Sequence, residues 1–261
     1  MLPTTEMRLN GAHGDTIVYN AVQPAHADAP TLVFLPGYRS DRMGGKALHL
    51  EAVAQRFGWG SVRLDYHAHG DSPGDFLEGC ISRWTDNCLD VIDQATSGPI
   101  VLAGSSMGGW IMVRAALARP DRVKAMLGIA AAPDFTQDLM IPDFTDDERD
   151  QLRRQGYIAQ PTPYDDQPYL ISQKLLDDGA DCLVLPSGIA FDGPVALVHG
   201  QRDEDVPLST AMRLIDALAG DDVQLTLIKD GEHRLSRDSD LRAIEVSLIE
   251  LAKRAGFAAS R

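Results

Sequence analysis

Short apolar runs recur along the chain, each followed by a longer stretch in which apolar residues return every three or four positions. Residues 31–35 (TLVFL), 61–65 (SVRLD), 100–104 (IVLAG), 124–131 (KAMLGIAA), 195–199 (VALVH) and 223–228 (VQLTLI) read as strands. Most are apolar almost throughout, as strands covered on both faces must be. Between them, Trp84, Cys88, Val91, Ile92 and Ala95 form one helical stripe, and Leu241, Ile244, Leu248, Leu251 and Ala255 form another. This alternation predicts βαβ units on a mostly parallel sheet flanked by helices. TIVYNAV, at residues 16–22, adds a leading antiparallel strand.

One segment breaks the rhythm. Residues 134–192 hold no clear strand, only polar loops and two candidate helices over 145–155 and 167–178. About 60 residues far exceed an ordinary connection, so the segment must have structure of its own. An inserted helical cap is expected there, splitting a core of residues 1–133 and 193–261. Its acids Asp143, Asp146, Asp147, Glu148 and Asp150 read as a solvated helix start rather than a binding site.

The formal charge of −14 and a pI near 4.8 disfavour nucleic acid and anionic lipid headgroups as partners. Three cysteines, Cys80, Cys88 and Cys182, fit neither a disulfide framework nor a zinc-binding CxxC pair. Buried reduced thiols are the expectation. The leading MLPTTEMRLN has no basic region followed by an apolar run. Nor does any stretch reach the roughly 18 apolar residues of a membrane span. A cytoplasmic location is therefore expected.

Gly104-Ser105-Ser106-Met107-Gly108 matches G-x-S-x-G, after IVLAG and before a helical pattern over 110–119 that Pro120 ends. Strand, sharp turn, helix is the setting of a nucleophile elbow. Side chains at Gly104 and Gly108 would collide with the neighbouring strand and helix. Ser105 is the competing serine, but Ala103 precedes it by two, so the spacing selects Ser106.

A serine hydroxyl needs a base to take its proton and an acid to orient that base. After VALVH comes GQRDEDVP, offering Asp203, with Asp205 as rival; after VQLTLI comes KDGEH, offering His233. The spacing G-x-x-D-x-x-V-P favours Asp203, while Asp205 can cap the following helix. Both loops leave the C-terminal ends of strands, where open α/β sheets build their sites. An oxyanion hole requires two backbone N–H groups. Met107, directly after the nucleophile, supplies one, and Tyr38, in the Pro36-Gly37-Tyr38 loop after TLVFL, supplies the other.

PGYRSDRMGGKA, LDYHAHGDS, GSSMGGWIM, HGQRDEDVP and EHRLS together resemble the α/β-hydrolases related to mitochondrial palmitoyl-protein thioesterase, also known as mycophenolic acid acyl-glucuronide esterase. The resemblance implies an α/β-hydrolase fold with a mostly parallel eight-stranded sheet. It also implies hydrolysis of carboxylic esters or thioesters through an acyl-enzyme, with no metal or other cofactor. Partners would be small-molecule esters or thioesters, acyl-glucuronides included, or an acylated protein. This chain has Pro36-Gly37 where many relatives have His-Gly, and it lacks an Arg-rich, acid-poor transit segment. Caps shape substrate pockets, and Phe144 and Tyr164 are the candidate pocket residues here.

Two other readings stand beside this one. His67-Ala68-His69-Gly70-Asp71 matches H-x-H-x-D, part of a zinc-hydrolase signature, although Ser72 replaces the next histidine. A hydrolase fold can also serve as a non-catalytic ligand receptor, though such proteins usually lose a triad member.

Overall fold

A computed structural model describes residues 4–162 and 167–257. The chain opens with an antiparallel hairpin of β1 (Glu6–Asn10) and β2 (Thr16–Val22). It continues through β3 (Thr31–Leu35), α1 (Gly45–Arg56), β4 (Gly60–Asp65) and α2 (Ile81–Ala95). Then come β5 (Ile100–Ser105), α3 (Met107–Ala118) and β6 (Val123–Ile129). After β6 the chain leaves the sheet. A π-helical turn, Thr136–Met140, runs into α4 (Ile141–Asp143) and α5 (Asp146–Gln155). A small hairpin of β7 (Tyr157–Gln160) and β8 (Tyr169–Ser172) precedes α6 (Gln173–Asp181). The sheet resumes with β9 (Val195–Gly200), α7 (Leu208–Ala217), β10 (Val223–Ile228) and α8 (Asp238–Arg254).

The eight sheet strands run in the order β1-β2-β4-β3-β5-β6-β9-β10, parallel from β4 onward. Alternate residues of β3 divide between two cores: Val33 and Leu35 face one, Leu32 and Phe34 the other. Trp84, Cys88 and Val91 of α2 and Trp110 and Ile111 of α3 cover the first face. Leu50 and Val53 of α1 and Ile244, Leu248 and Leu251 of α8 cover the second. Such two-sided cover is why these strands read as unbroken apolar runs. β10, at the edge, is more exposed and partly polar. Ser105 pairs with Ile129, Ile129 with Val198, and Gly200 with Ile228, so the loops after β5, β9 and β10 leave one rim.

The structure differs from the sequence reading at the leading strand and in the insertion, where the β7–β8 hairpin adds two strands to a segment expected to hold only helices and loops. β1 was not expected, because EMRLN is largely polar; its pairing with β2 supplies what periodicity does not. A helix over 167–178 was expected, but β8 occupies Tyr169–Ser172, and α6 starts at Gln173 with Ser172 Oγ accepting from Leu175 N–H at 3.1 Å. Four residues, YLIS, are too few to declare a strand until YIAQ lies beside them. The other insertion helix, α5, begins where the reading placed it. Thr145 caps it reciprocally with Glu148, and Asp146, Asp147 and Glu148 meet the positive end of its dipole.

No helix among the described residues is long and apolar enough to cross a membrane. All three cysteines are buried and unpaired.

Candidate active site

The elbow between β5 and α3 holds Ser106 at φ 53° and ψ −122°, a region that side-chain-bearing residues rarely adopt. Such a conformation costs on the order of 1–3 kcal/mol and persists only where its surroundings fix it. Here Ser106 N–H donates to Ile129 O at 3.0 Å, and Ser106 O accepts from Gly109 and Ala132 N–H at 2.8 and 3.0 Å. Close packing dictates both glycines of the motif. A Cβ at Gly104 would lie 2.3 Å from Gly108 O, and one at Gly108 would lie 2.1 Å from Leu35 O.

Ser106 Oγ lies 3.1 Å from His233 Nε2, and His233 Nδ1 lies 2.9 Å from Asp203 Oδ2. The Asp203 side chain is fully covered, and that of His233 is 16% exposed. The other carboxylate oxygen of Asp203 accepts from the backbone N–H of Asp205 (3.0 Å) and Val206 (2.8 Å). Asp205 is exposed and contributes its amide to Asp203, so the acid facing His233 is Asp203. Beneath the pair, buried His199 contacts Val206 O at 2.9 Å, and burial holds its ring below the ordinary histidine range. Sequence reasoning passed over His199, since a histidine closing an apolar strand gives no local sign of contact with the acid loop.

The loop after β3 lies against the elbow. A Cβ at Gly37 would stand 3.2 Å from Ser106 Cβ and 3.3 Å from Ser105 O, a distance only glycine keeps without displacement. Gly37–Ser40 form a tight turn, closed by Ser40 N–H donating to Gly37 O at 3.0 Å. Met107 opens α3, so its N–H is among those a helix leaves without an internal acceptor. Both backbone groups singled out in the sequence, Tyr38 N–H and Met107 N–H, thus belong to segments that border Ser106. The Tyr38 hydroxyl donates to Leu170 O of β8 at 2.5 Å, tying this turn to the insertion.

Ser106 and His233 open into a cavity of about 540 Å³. The insertion contributes Phe135, Leu139, Met140, Asp143, Gln160 and Tyr169 to its wall, and the sheet domain contributes Arg39, Lys46 and Arg234. Lys46 Nζ donates to Arg234 O at 2.5 Å, and burial pulls its ammonium down to about 8. Of the two expected pocket residues, Phe144 is not on this wall. It follows α4 in extended conformation and is buried in the apolar core, where its ring is worth more to packing than to a ligand. Tyr164 lies outside the described residues. Phe135 and Gln160 carried no sequence signal, because only the folded insertion turns them toward Ser106.

The H-x-H-x-D segment does not converge on a common point. His67 Nδ1 faces Asp15 Oδ1 at 3.0 Å, and His67 Nε2 faces Asp75 O at 3.1 Å. His69 Nδ1 faces His67 O at 3.1 Å, and Asp71 accepts from Arg42 Nη1 at 2.8 Å. Three of the four ring nitrogens, His67 Nε2, His69 Nδ1 and His69 Nε2, have hydrogen-bond partners in the protein, whereas His67 Nδ1 lies near Asp15 without a hydrogen bond.

Residues 32–245 match the alpha/beta hydrolase family. The mitochondrial palmitoyl-protein thioesterase of Bos taurus is 33% identical over 226 residues, covering 85% of this chain and 73% of that protein. Alpha/beta hydrolase domain-containing protein 10 from mouse has a similar structure, with a TM-score of 0.86 at 28% identity over 96% of this chain and 99% of its own. A crystal structure from Agrobacterium vitis S4 gives a TM-score of 0.92 at 37% identity, covering 95% of this chain and 99% of that one. This chain belongs to the alpha/beta hydrolase family.

Proposed function

We propose that the protein is a serine hydrolase that cleaves carboxylic esters or thioesters through an acyl-enzyme. The observation that carries this reading is the hydrogen-bonded chain from Ser106 Oγ through His233 to Asp203, opening into the cavity. An ionised Asp203 can only accept, so it draws the imidazole proton to Nδ1 and leaves the Nε2 lone pair toward Ser106. His233 then takes the hydroxyl proton as Oγ attacks the acyl carbon. The negative charge that develops on the carbonyl oxygen falls to Tyr38 and Met107 N–H. His233 returns the proton to the departing alkoxide or thiolate. A water activated by the same base releases the acyl group from Ser106.

The thioesterase named among its relatives supports an acyl thioester as one substrate. The apolar residues that the insertion brings to the wall, Phe135, Leu139 and Met140, support an acyl group with hydrocarbon bulk. The test combines a fluorophosphonate probe with p-nitrophenyl esters of rising acyl length, palmitoyl thioesters and acyl-glucuronides. Labelling should occur in the parent and vanish in Ser106→Ala, while Ser105→Ala keeps much of its turnover. Labelling that persists in Ser106→Ala would falsify the assignment.

A further inference from the structure

The chain leaves the sheet after β6 and returns to it at β9, and the two stems of this insertion meet at Asp134, which is 1% exposed. Its carboxylate grips the returning chain: Oδ1 accepts from Val184 N–H and Oδ2 from Leu185 N–H, both at 2.9 Å. Its backbone oxygen starts the outgoing one, accepting from Gln137 and Asp138 N–H at 3.1 and 3.0 Å at the head of the π-helical turn. Phe135, Leu139 and Met140, which follow, stand on the cavity wall, whereas Asp134 itself does not. Upstream the chain is held separately, because Ala130 N–H donates to Val198 O at 2.8 Å and Ala132 N–H to Ser106 O at 3.0 Å.

Two successive amides need two acceptors, and among side chains of this length only a carboxylate offers two oxygens. An asparagine offers one, and its NH₂ would face the second N–H donor to donor, leaving a buried amide unpaired. Asp134 also holds φ 58°, a left-handed value that a residue with a side chain keeps only where its surroundings fix it. Rotation about that N–Cα bond leaves Ala132 and the elbow in place. It swings the Asp134 carbonyl, Phe135 and the π-helical turn. The turn is also tied to α6, where Gln137 Nε2 donates to Leu176 O at 2.9 Å, so losing the clasp shifts the wall rather than unfolding it.

We infer that Asp134 is a positioning residue for acyl selection: its carboxylate clasps the two stems of the insertion and so sets where Leu139 and Met140 stand in the cavity wall. This rests on the serine-hydrolase reading above, with the acyl group lying against that wall.

The test compares Asp134→Asn, which keeps the shape and one acceptor, with Asp134→Gly, which tolerates the left-handed φ and removes both. Rates are read on p-nitrophenyl acetate and octanoate, with thermal melting beside them. In both variants kcat/KM on octanoate should fall on the order of 10-fold, chiefly through KM, because a shifted wall forfeits the burial of about one to two methylenes. The acetate rate should stay within about 2-fold, since an acetyl group has no chain to lay on the wall. An aspartate that served stability alone would lower the melting temperature and both rates together. Equal losses on the two esters, a loss confined to one variant, or unchanged octanoate kinetics overturns the inference. Amide hydrogen exchange of the parent gives a reading that depends on no variant: Val184 and Leu185 should be strongly protected, and exchange at open-loop rates overturns the clasp. A parent that labels but shows no dependence on acyl length sinks this inference alone. A parent that neither labels nor turns over ester sinks the serine-hydrolase reading and this inference with it.

Discussion

Asp203 and Asp205 are two residues apart in one loop, yet they meet different environments. Asp203 is covered, accepts two backbone amides and faces His233, while Asp205 is exposed. Asp203→Asn keeps the shape but stabilises the wrong imidazole tautomer, so kcat should fall by about 10⁴. Asp205→Asn leaves its backbone donor in place and should change kcat by less than about 3-fold. Steady-state kinetics on one activated ester would separate them, and a reversed order moves the acid role to Asp205. His69 makes a prediction of a different kind. Its ordinary value of 6.5 falls to about 4 on burial, so between those values the unfolded chain binds a proton that the native chain does not. Stability from this group is therefore full above about pH 6.5 and lost as pH falls through about 4, amounting to about 3 kcal/mol. Urea unfolding at several pH values should show a shallower acid loss in His69→Gln than in the parent; parallel curves would count against a buried neutral imidazole.

At the scale of elements, the segment between β6 and β9 does the most to shape the cavity. Its π-helical turn, α4 and the β7–β8 hairpin bring Leu139, Met140, Asp143, Gln160 and Tyr169 over Ser106. The hairpin is tied to the core twice, by Tyr38 Oη on Leu170 O and through α6, where Asp178 accepts from Ser82 N–H at 2.8 Å. If the apolar wall receives an acyl chain, each methylene buried contributes about 0.8 kcal/mol, so kcat/KM should rise several-fold per CH₂ until the space is full. Leu139→Ala and Met140→Ala should flatten that rise without changing the rate on acetate esters. Phe144→Ala, by contrast, should lower thermal stability and leave the profile alone. A profile that is flat in the parent, or unmoved by Leu139→Ala and Met140→Ala, would show that the insertion does not select the acyl group.

The whole molecule places charged pairs inside it as well as apolar cores. Arg63 of β4 and Glu51 of α1 are both buried and paired at 2.7 Å, and Arg63 Nη1 also donates to Arg42 O at 2.6 Å. Arg42 pairs in turn with Asp65, Asp71 and Glu6, joining the hairpin, the sheet and the loop after β4. Removing one member leaves the other charge buried alone, so Arg63→Met should cost about 3–5 kcal/mol in denaturant unfolding. Adding Glu51→Leu should recover much of that loss. A neutral Arg63→Met would mean the interior is wetter than the pair's burial implies.

Much of this protein was written in local patterns. The apolar runs and helical stripes marked the parallel strands and the helices beside them, because a residue's repeat along the chain sets which face it presents. G-x-S-x-G marked the elbow, because the close approaches at Gly104 and Gly108 leave no room for a side chain. Chain order placed Asp203 and His233 after β9 and β10, since loops at one end of parallel strands share a rim. Tertiary structure decided what contacts across the sequence decide. β1 and β8 are strands only because β2 and β7 lie beside them. Phe144 went to the core and Phe135 to the cavity by the path of the folded insertion, which no period encodes. His67 and His69 had the spacing of metal ligands, but α2 holds the His67 backbone, the turn after β3 meets His69 Nε2, and Asp75 O meets His67 Nε2. Spacing can state which atoms are able to meet; only the packed chain determines which neighbours reach them first.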